Sequence, residues 1–134
     1  LAVPVLITDQ NARLLFTGAP LSTPLAQLFQ VTKTNTIKMP AAAQNPQAVK
    51  LTITHTTGLL SGGFTFKNSD PLDLTPPIAI ITRTATYYGL LITRPDLNQG
   101  IGFFNLAELA DEPGEKNTTT KILSGKAELT APPP

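Results

Sequence analysis

The chain has 134 residues, a formal net charge of +1 at pH 7, 14% charged residues and no cysteine. That length favours a single domain with room for an ordinary hydrophobic core. The near-neutral charge gives no electrostatic attraction to nucleic acid, and the lack of cysteine excludes disulfides, thiol catalysis and Cys-zinc sites. No run of about 18 apolar residues occurs, so the sequence predicts no transmembrane helix.

The chain begins with an apolar segment, Ala2 to Ile7, whose pattern is extended. Pro4 lacks a backbone N–H, which confines the segment to a sheet edge or to the start of a strand. Such a segment pairs with the edge of its own sheet, the commoner outcome, or adds as a strand to a neighbouring molecule. In the second case assembly would depend on Val3, Val5 and Ile7, which alternate along the strand.

Two further segments precede the first long loop. Arg13 to Thr17 predicts a short strand that ends at Gly18. Leu28 to Lys38 predicts another strand because its threonine-rich run is poor in helix formers. A helical turn with Pro24 at its first position is the alternative for the residues from Pro24 to Leu28. Pro40 to Pro46 predicts a loop.

The stretch from Val49 to Leu106 carries the clearest strand pattern. Val49, Leu51 and Ile53 alternate with polar residues, which predicts a strand with one buried face. Thr57-Gly58 then predicts a hairpin turn, because glycine tolerates positive φ.

Glycines interrupt the strand patterns that follow this turn. Gly62, Gly89 and Gly102 predict bends or close backbone approaches, which allow a small sheet to curl toward a barrel. The strand around Gly89 is apolar on both faces, so the sequence predicts cover on both sides or a change of face at Gly89. One face would hold Tyr87, Gly89 and Leu91, and the other Tyr88, Leu90 and Ile92.

The C-terminal part predicts a mobile loop from Ala110 to Lys121 and a closing strand from Ile122 to Leu129. Strand patterns separated by regular turn signals are typical of barrels and sandwiches. We therefore expect residues 1–134 to form a single all-β domain, a small antiparallel β-barrel or barrel-like sandwich of about seven to nine strands. Residues 1–8 form an extended N-terminal segment in this prediction, and residues 130–134 a proline-rich tail.

The sequence offers no set of residues for ordinary catalysis. His55 has no second histidine or cysteine to accompany it, so we interpret it as a structural residue at a strand end. Asp96 to Gly100 has the opening spacing of a calcium loop but lacks the later ligands, which favours a simple turn. Four acidic residues are interpreted as a solvated surface, with glycoside hydrolysis as the alternative: Glu108, Asp111, Glu112 and Glu115. We expect no metal and no cofactor.

Two aromatic pairs, Tyr87-Tyr88 and Phe103-Phe104, point to opposite faces of their strands. We expect one member of each pair to lie in the core. For the other member there are three alternatives: packing in the core, a contact in an interface, or stacking on a sugar. A carbohydrate site would draw on Tyr87 or Tyr88, together with Asp96 and Asn98.

The order of several short motifs resembles the C-terminal β-domain of large modular secreted bacterial surface proteins. The motifs are those of Thr57 to Thr65, Tyr88 to Leu91, Gly100 to Phe104 and Ser124 to Leu129. The resemblance implies an extracellular, non-enzymatic module with a structural or adhesive role, with a carbohydrate-binding module as the alternative. Its partners would be other copies of itself, neighbouring modules of a surface protein, or glycans.

Overall fold

The computed structural model describes residues 10–18, 21–32, 34, 36–54, 56–94, 97–116 and 119–130. The described residues are all-β, with a 3₁₀ turn at Ala42–Gln44 as the one helical element among them. The strands are β1 (Ala12–Thr17), β2 (Leu25–Val31), β3 (Ile37–Lys38), β4 (Lys50–Thr54), β5 (Leu59–Ser69), β6 (Ile80–Arg94), β7 (Leu97–Ala107) and β8 (Ile122–Thr130).

The strands form one antiparallel sheet in the order β3-β2-β1-β8-β7-β6-β5-β4. The sheet curls into a nearly closed barrel. The curl brings the ring of Phe16 on β1 to within 4.4 Å of the ring of Phe64 on β5, although β8, β7 and β6 lie between these strands in the sheet. The predicted fold class is therefore confirmed.

Aromatic side chains fill the centre of the barrel. Phe16 contacts Tyr87 and Phe104 at ring-centroid distances of 5.1 and 5.8 Å, and Phe64 lies 5.5 Å from Phe104. These rings meet edge to face, an arrangement that aromatic pairs prefer over a face-to-face stack. All four side chains are fully buried, so this cluster is the core that holds β1, β5, β6 and β7 together.

The segment between β3 and β4 bridges the two ends of the sheet by bonding to β2 and to β5. The buried amide of Gln27 on β2 donates to the carbonyl of Gln44 at 2.9 Å. On the other side, the backbone N–H of Thr65 on β5 donates to the carbonyl of Gln47 at 2.8 Å. Asn45 holds the segment in shape, because its side chain bonds both the N–H and the carbonyl of Val49.

The first hairpin of the central stretch forms as predicted. Gly58 has a φ of +71°, and its N–H donates to the carbonyl of Thr54 at 2.8 Å. Leu51 and Ile53 of β4 are half-buried while the residues between them are exposed, which confirms the predicted alternation.

Gly62, Gly89 and Gly102 lie in strands, as predicted. Gly89 shows why a glycine is needed in such a position. Gly89 of β6 pairs with Gly102 of β7. A Cβ atom on Gly89 would lie 2.7 Å from the carbonyl oxygen of Ile101 and 3.0 Å from the Cα of Gly102. Because backbone atoms cannot swing aside as a side chain can, the pairing of these strands requires glycine here.

The prediction of one strand from Leu28 to Lys38 is wrong. The chain instead forms β2 and β3 with a turn between them. The N–H of Thr32 donates to the carbonyl of Thr36 at 2.9 Å, and the N–H of Thr36 donates to the hydroxyl of Thr32 at 3.0 Å. Threonine hydroxyls can bond nearby backbone groups in place of a strand ladder, and that local bonding outweighs their strand propensity.

The last strand, β8, extends to Thr130 and confirms the predicted closing strand. Leu123, Ala127 and Leu129 face inward, as predicted, while Lys126 is exposed. Residues 1–8 and 131–134 lie outside the described residues. Within the described residues, no helix is long and apolar enough to cross a membrane.

Candidate functional site

Tyr87 is a core residue, so its predicted role in ligand binding is wrong. The ring is surrounded by the aromatic core, and the hydroxyl donates a hydrogen bond to the backbone carbonyl of Lys50. Burial raises the pKa of the Tyr87 hydroxyl above its ordinary value, because the charged phenolate is poorly solvated there. This hydroxyl therefore serves to link β6 to β4.

Tyr88 has the opposite surroundings. Its side chain is 50% exposed, and across the strand pair it faces Phe103, which is 52% exposed. Their chain neighbours Tyr87 and Phe104 also face each other, on the buried side of the sheet. The prediction that one residue of each aromatic pair lies in the core is confirmed.

The other predicted site residues are not placed by the structure. Asp96, His55, Val3, Val5 and Ile7 lie outside the described residues. Asn98 belongs to β7, but its side chain also lies outside the described set. A joint site of Tyr88 with Asp96 and Asn98 thus stays a prediction.

The acidic residues of the loop before β8 do not form a rigid pair. The carboxylate of Glu115 accepts hydrogen bonds from the backbone N–H groups of Asp111 and Glu112 at 3.2 and 3.1 Å. All of these side chains are exposed, an arrangement that fits a solvated surface. Across the part of the chain that the structure describes, no group of three acidic or histidine side chains is arranged to hold a metal ion.

An exposed apolar surface covers the outside of three neighbouring strands. In the second half of β6 three successive outward side chains are apolar and at least 39% exposed, and three apolar side chains on β5 and β7 beside them are at least 41% exposed. We call this surface the outer apolar face; it consists of Leu59, Tyr88, Leu90, Ile92, Ile101 and Phe103.

The strand register makes the outer apolar face continuous. Leu90 pairs with Leu59 on one side and with Ile101 on the other. One row along, Tyr88 pairs with Phe103. Because paired residues in an antiparallel sheet lie about 5 Å apart, the six side chains form one cluster. Within the single chain this side of β6 is uncovered, and Tyr88 and Leu90 are both exposed, so the strand does not change face at Gly89.

An ion pair borders the outer apolar face on β8. Lys126 pairs with Phe103 and Glu128 pairs with Ile101 in the ladder, and the Lys126 Nζ lies 2.6 Å from the Glu128 carboxylate. The result is an apolar centre with charged neighbours on one side. Protein–protein interfaces commonly place polar residues around an apolar core, and the ion pair supplies polar residues on one side of this face.

Two functional features escaped the sequence analysis. Leu59 and Ile101 were not identified as surface residues, although each lies in strict alternation with residues of the buried face. Gln27 was not identified as the residue that holds the closing segment, because a glutamine in a strand gives no signal of burial.

Comparison with known proteins identifies no relative. No protein-family model matches the chain, and no curated protein or solved structure matches it either. The resemblance to the C-terminal β-domain of modular bacterial surface proteins accordingly stays a prediction.

Proposed function

We propose that this chain is a non-catalytic structural or adhesive β-module of an extracellular cell-surface protein, which acts by binding a second copy of itself. The proposal depends on the outer apolar face, where six large apolar side chains are exposed. The other side of the same sheet packs into the hydrophobic core. Contiguous apolar patches on a soluble protein usually mark an interaction surface. The resemblance to bacterial surface modules supports the extracellular placement.

Size sets a limit on what the outer apolar face contributes. Strands lie about 5 Å apart and residues about 3.4 Å apart along them, so the Cα atoms of the outer apolar face span roughly 10 by 13 Å. A stable interface needs about 800 Å² per partner, so the face supplies the centre of a contact and not its whole area. Its aromatic and leucine side chains would provide most of the binding energy, as central anchors commonly do.

A second copy fits the charges at the border. Lys126 and Glu128 carry opposite charges side by side on β8. In a two-fold contact the same surface of each molecule meets the other, so each lysine can face the glutamate of its partner. Such a surface is complementary to itself in charge as well as in hydrophobicity.

Light scattering on the purified chain tests the proposal. The double substitution Leu90→Ser with Phe103→Ser removes the centre of the outer apolar face and should convert a dimer at micromolar concentration into a monomer. Ile122→Ser is the matched control, because Ile122 is 70% exposed but lies on β8 opposite Ala107, away from this face. A wild-type chain that is monomeric at 100 μM, or a double variant that stays dimeric, would overturn the contact.

Strand addition is a second route to assembly within the same proposal. β4 lies at one end of the sheet order and, within the described residues, pairs with β5 alone. An extended apolar segment from another molecule could pair along its free edge. Deletion of residues 1–8 tests this route: loss of assembly and of stability, restored by added peptide, supports it, and unchanged assembly refutes it.

Carbohydrate binding is the alternative function. The exposed pair of Tyr88 and Phe103 favours it, because exposed aromatic rings can stack on the apolar faces of sugars. A glycan array separates the two functions. Robust binding of one sugar class that is lost in Tyr88→Ala would favour the alternative, and an array without binding would exclude it.

A further inference from the structure

Within the described residues, the two end strands of the sheet, β3 and β4, do not pair with each other. We call the gap between them the seam. The apolar side chains that border it pack against the core but are only half-buried: Ile37, Met39, Leu51 and Ile53. An inward side chain in the middle of the sheet, such as Phe104, is fully buried. Solvent therefore reaches the core of the barrel at the seam.

The bonding pattern of β5 shows which backbone groups of β4 face the seam. Thr65 donates its N–H to the segment that precedes β4. Because alternate residues of a strand bond to opposite neighbours, Ser61 also turns its backbone groups toward β4, where its register partner is Thr52. The residues on either side of Thr52, Leu51 and Ile53, thus direct their N–H and C=O groups to the free edge. These groups have no hydrogen-bond partner among the described residues.

Val49 precedes Leu51 in this series, and its edge is already occupied. The side-chain nitrogen of Asn45 donates to the carbonyl of Val49 at 3.0 Å, and the side-chain oxygen accepts from the N–H of Val49 at 2.8 Å. Asn45 thus makes the two bonds that a neighbouring strand would make. A strand added to β4 can bond to Leu51 and Ile53 but needs no donor for the carbonyl of Val49.

The part of the chain that precedes β1 can reach the seam. The side chain of Asn11 bonds the carbonyl and the N–H of Val31 on β2, at 2.9 and 2.8 Å. Val31 pairs with Ile37 of β3, so a strand in the seam would lie two strand spacings, about 10 Å, from β2. The four steps of chain from Asn11 back to Ile7 span up to about 13 Å, which is enough.

We propose that the apolar segment Ala2–Ile7 of the same chain fills the seam as a strand parallel to β4. A segment that turns back before β1 runs opposite to β1. Neighbouring strands are antiparallel, and five strand pairs separate β4 from β1, so β4 also runs opposite to β1. Tethering gives the segment a high effective concentration at the seam, which favours the same chain over a second copy.

This pairing satisfies the free edge of β4. In a parallel pair, a residue bonds to two residues of the neighbouring strand that lie two positions apart. The N–H of Leu6 donates to the carbonyl of Leu51, and the carbonyl of Leu6 accepts from the N–H of Ile53. Val5 and Ile7 alternate with Leu6, so they point into the barrel and cover the half-buried side chains of Leu51 and Ile53.

Pro4 fits the same register at the end of β4 that Asn45 occupies. Two residues before Leu6, Pro4 lies between the carbonyl of Val49 and the N–H of Leu51. Proline has no N–H to offer, and the carbonyl of Val49 needs none because it already accepts from Asn45. The carbonyl of Pro4 accepts from the N–H of Leu51. A shift by two residues would put Pro4 in the place of Leu6 and leave the carbonyl of Leu51 unbonded.

Hydrogen exchange of the ¹⁵N-labelled chain tests the contact. The amide hydrogens of Leu51 and Ile53 should exchange at least about 100-fold more slowly in the full chain than after deletion of residues 1–8. The N–H of Thr52 faces β5 with or without the segment, so it is the internal control and should be protected in both chains. Equally fast exchange of Leu51 and Ile53 in the two chains would overturn the proposal.

A pair of introduced cysteines tests the register, because the chain has no cysteine of its own. Val5 lies beside Leu51 on the inward side in this register, close enough for a disulfide. Val5→Cys with Leu51→Cys should therefore form a disulfide in a glutathione buffer. Leu6→Cys with Leu51→Cys is the matched control and should not, because Leu6 points outward. Equal yields from the two pairs would overturn the pairing, since an unpaired segment would cross-link at either position.

The size of the disulfide-bonded product identifies the chain that supplies the segment. A cross-linked monomer supports the same-chain contact, whereas a disulfide-linked dimer at micromolar concentration would assign the segment to a second copy and overturn it. The cysteine pair keeps the whole chain, so it decides the matter even if the deletion variant does not fold. Self-association through the outer apolar face is independent of this contact, and the light-scattering experiment tests it separately.

Discussion

Tyr87 and Phe104 face each other across β6 and β7, and so do their chain neighbours Tyr88 and Phe103. The first pair is 1% and 0% exposed, and the second is 50% and 52% exposed. Residue type is almost the same on the two faces, so hydrophobicity does not decide which pair is buried. The curvature of the sheet decides it, because side chains on the concave side meet those of β1 and β5.

Aromatic residues have different roles on the two faces of the sheet. Inside the barrel an aromatic ring stabilises the fold by filling the core. On the outer apolar face a ring of the same size contributes little to folding and remains available for a partner. Substitutions at matched positions on the two faces should therefore have very different effects on stability.

The largest effect is expected from Phe104→Ala. The ring is fully buried between Phe16 and Phe64, so its removal leaves a cavity. Such substitutions cost about 3–5 kcal/mol of the free energy of unfolding. Urea denaturation followed by circular dichroism measures the change. A loss below about 1 kcal/mol would mean that Phe104 is not part of a close-packed core.

A smaller effect is expected from Gly89→Val, which adds a side chain where the two strands approach closely. The new atoms would meet the carbonyl of Ile101, and the backbone must shift to admit them. We expect a loss of about 1–3 kcal/mol in the free energy of unfolding. Thr86→Val, on the exposed side of the same strand, is the control and should change stability by less than about 0.5 kcal/mol. An unchanged melting temperature in Gly89→Val would contradict the close approach.

Tyr87→Phe tests the hydrogen bond that a side chain of the aromatic core makes to the backbone of β4. It removes the hydrogen bond to the carbonyl of Lys50 but keeps the ring. The free energy of unfolding should fall by about 0.5–1.5 kcal/mol at pH 7. Tyr88→Phe, which alters the exposed neighbour, should leave it unchanged. Equal effects of the two substitutions would contradict the difference between the two faces.

The same tyrosine should make stability sensitive to alkaline pH. Its pKa in the folded chain is raised above the value of about 10 in the unfolded chain. Above about pH 10 the Tyr87 hydroxyl loses its proton in the unfolded chain before it does so in the folded chain. The contribution of Tyr87 to the free energy of unfolding is therefore complete below about pH 10 and decreases as the pH rises toward the folded-state pKa. Denaturation at several pH values should show this decrease in the wild type and a smaller one in Tyr87→Phe. Parallel curves would refute it.

The smallest effect is expected from Phe103→Ala on the outer apolar face. At concentrations where the chain is monomeric, the free energy of unfolding should change by less than about 0.5 kcal/mol. The same substitution should weaken self-association at higher concentration. A loss as large as that of Phe104→Ala would mean that Phe103 is buried in the folded monomer.

Most of the strand pattern could be predicted from the sequence. Alternation predicted β4 and the closing strand β8, because a side-chain period of two is a local property of extended backbone. The turn at Gly58 was predicted from glycine's tolerance of positive φ. The paired aromatic residues also predicted that one ring of each pair would be buried. The turn between β2 and β3 could not be predicted in this way, because threonine has high strand propensity and also bonds local backbone groups.

The sequence by itself determined the all-β class, the positions of the glycines and the alternation of the two faces, all of which depend on residues near in the chain. Only the tertiary structure decided which face of β6 is buried, since that choice follows from strands far apart in sequence. It also brought Gln27 to Gln44 and Arg83 to Asn68 and Ala107. The contact of Gln27 arises when a long sheet curls on itself, and those of Arg83 arise from the register of β6 with its two neighbouring strands. A pattern with a period of two contains no information about the curl or about which strands become neighbours.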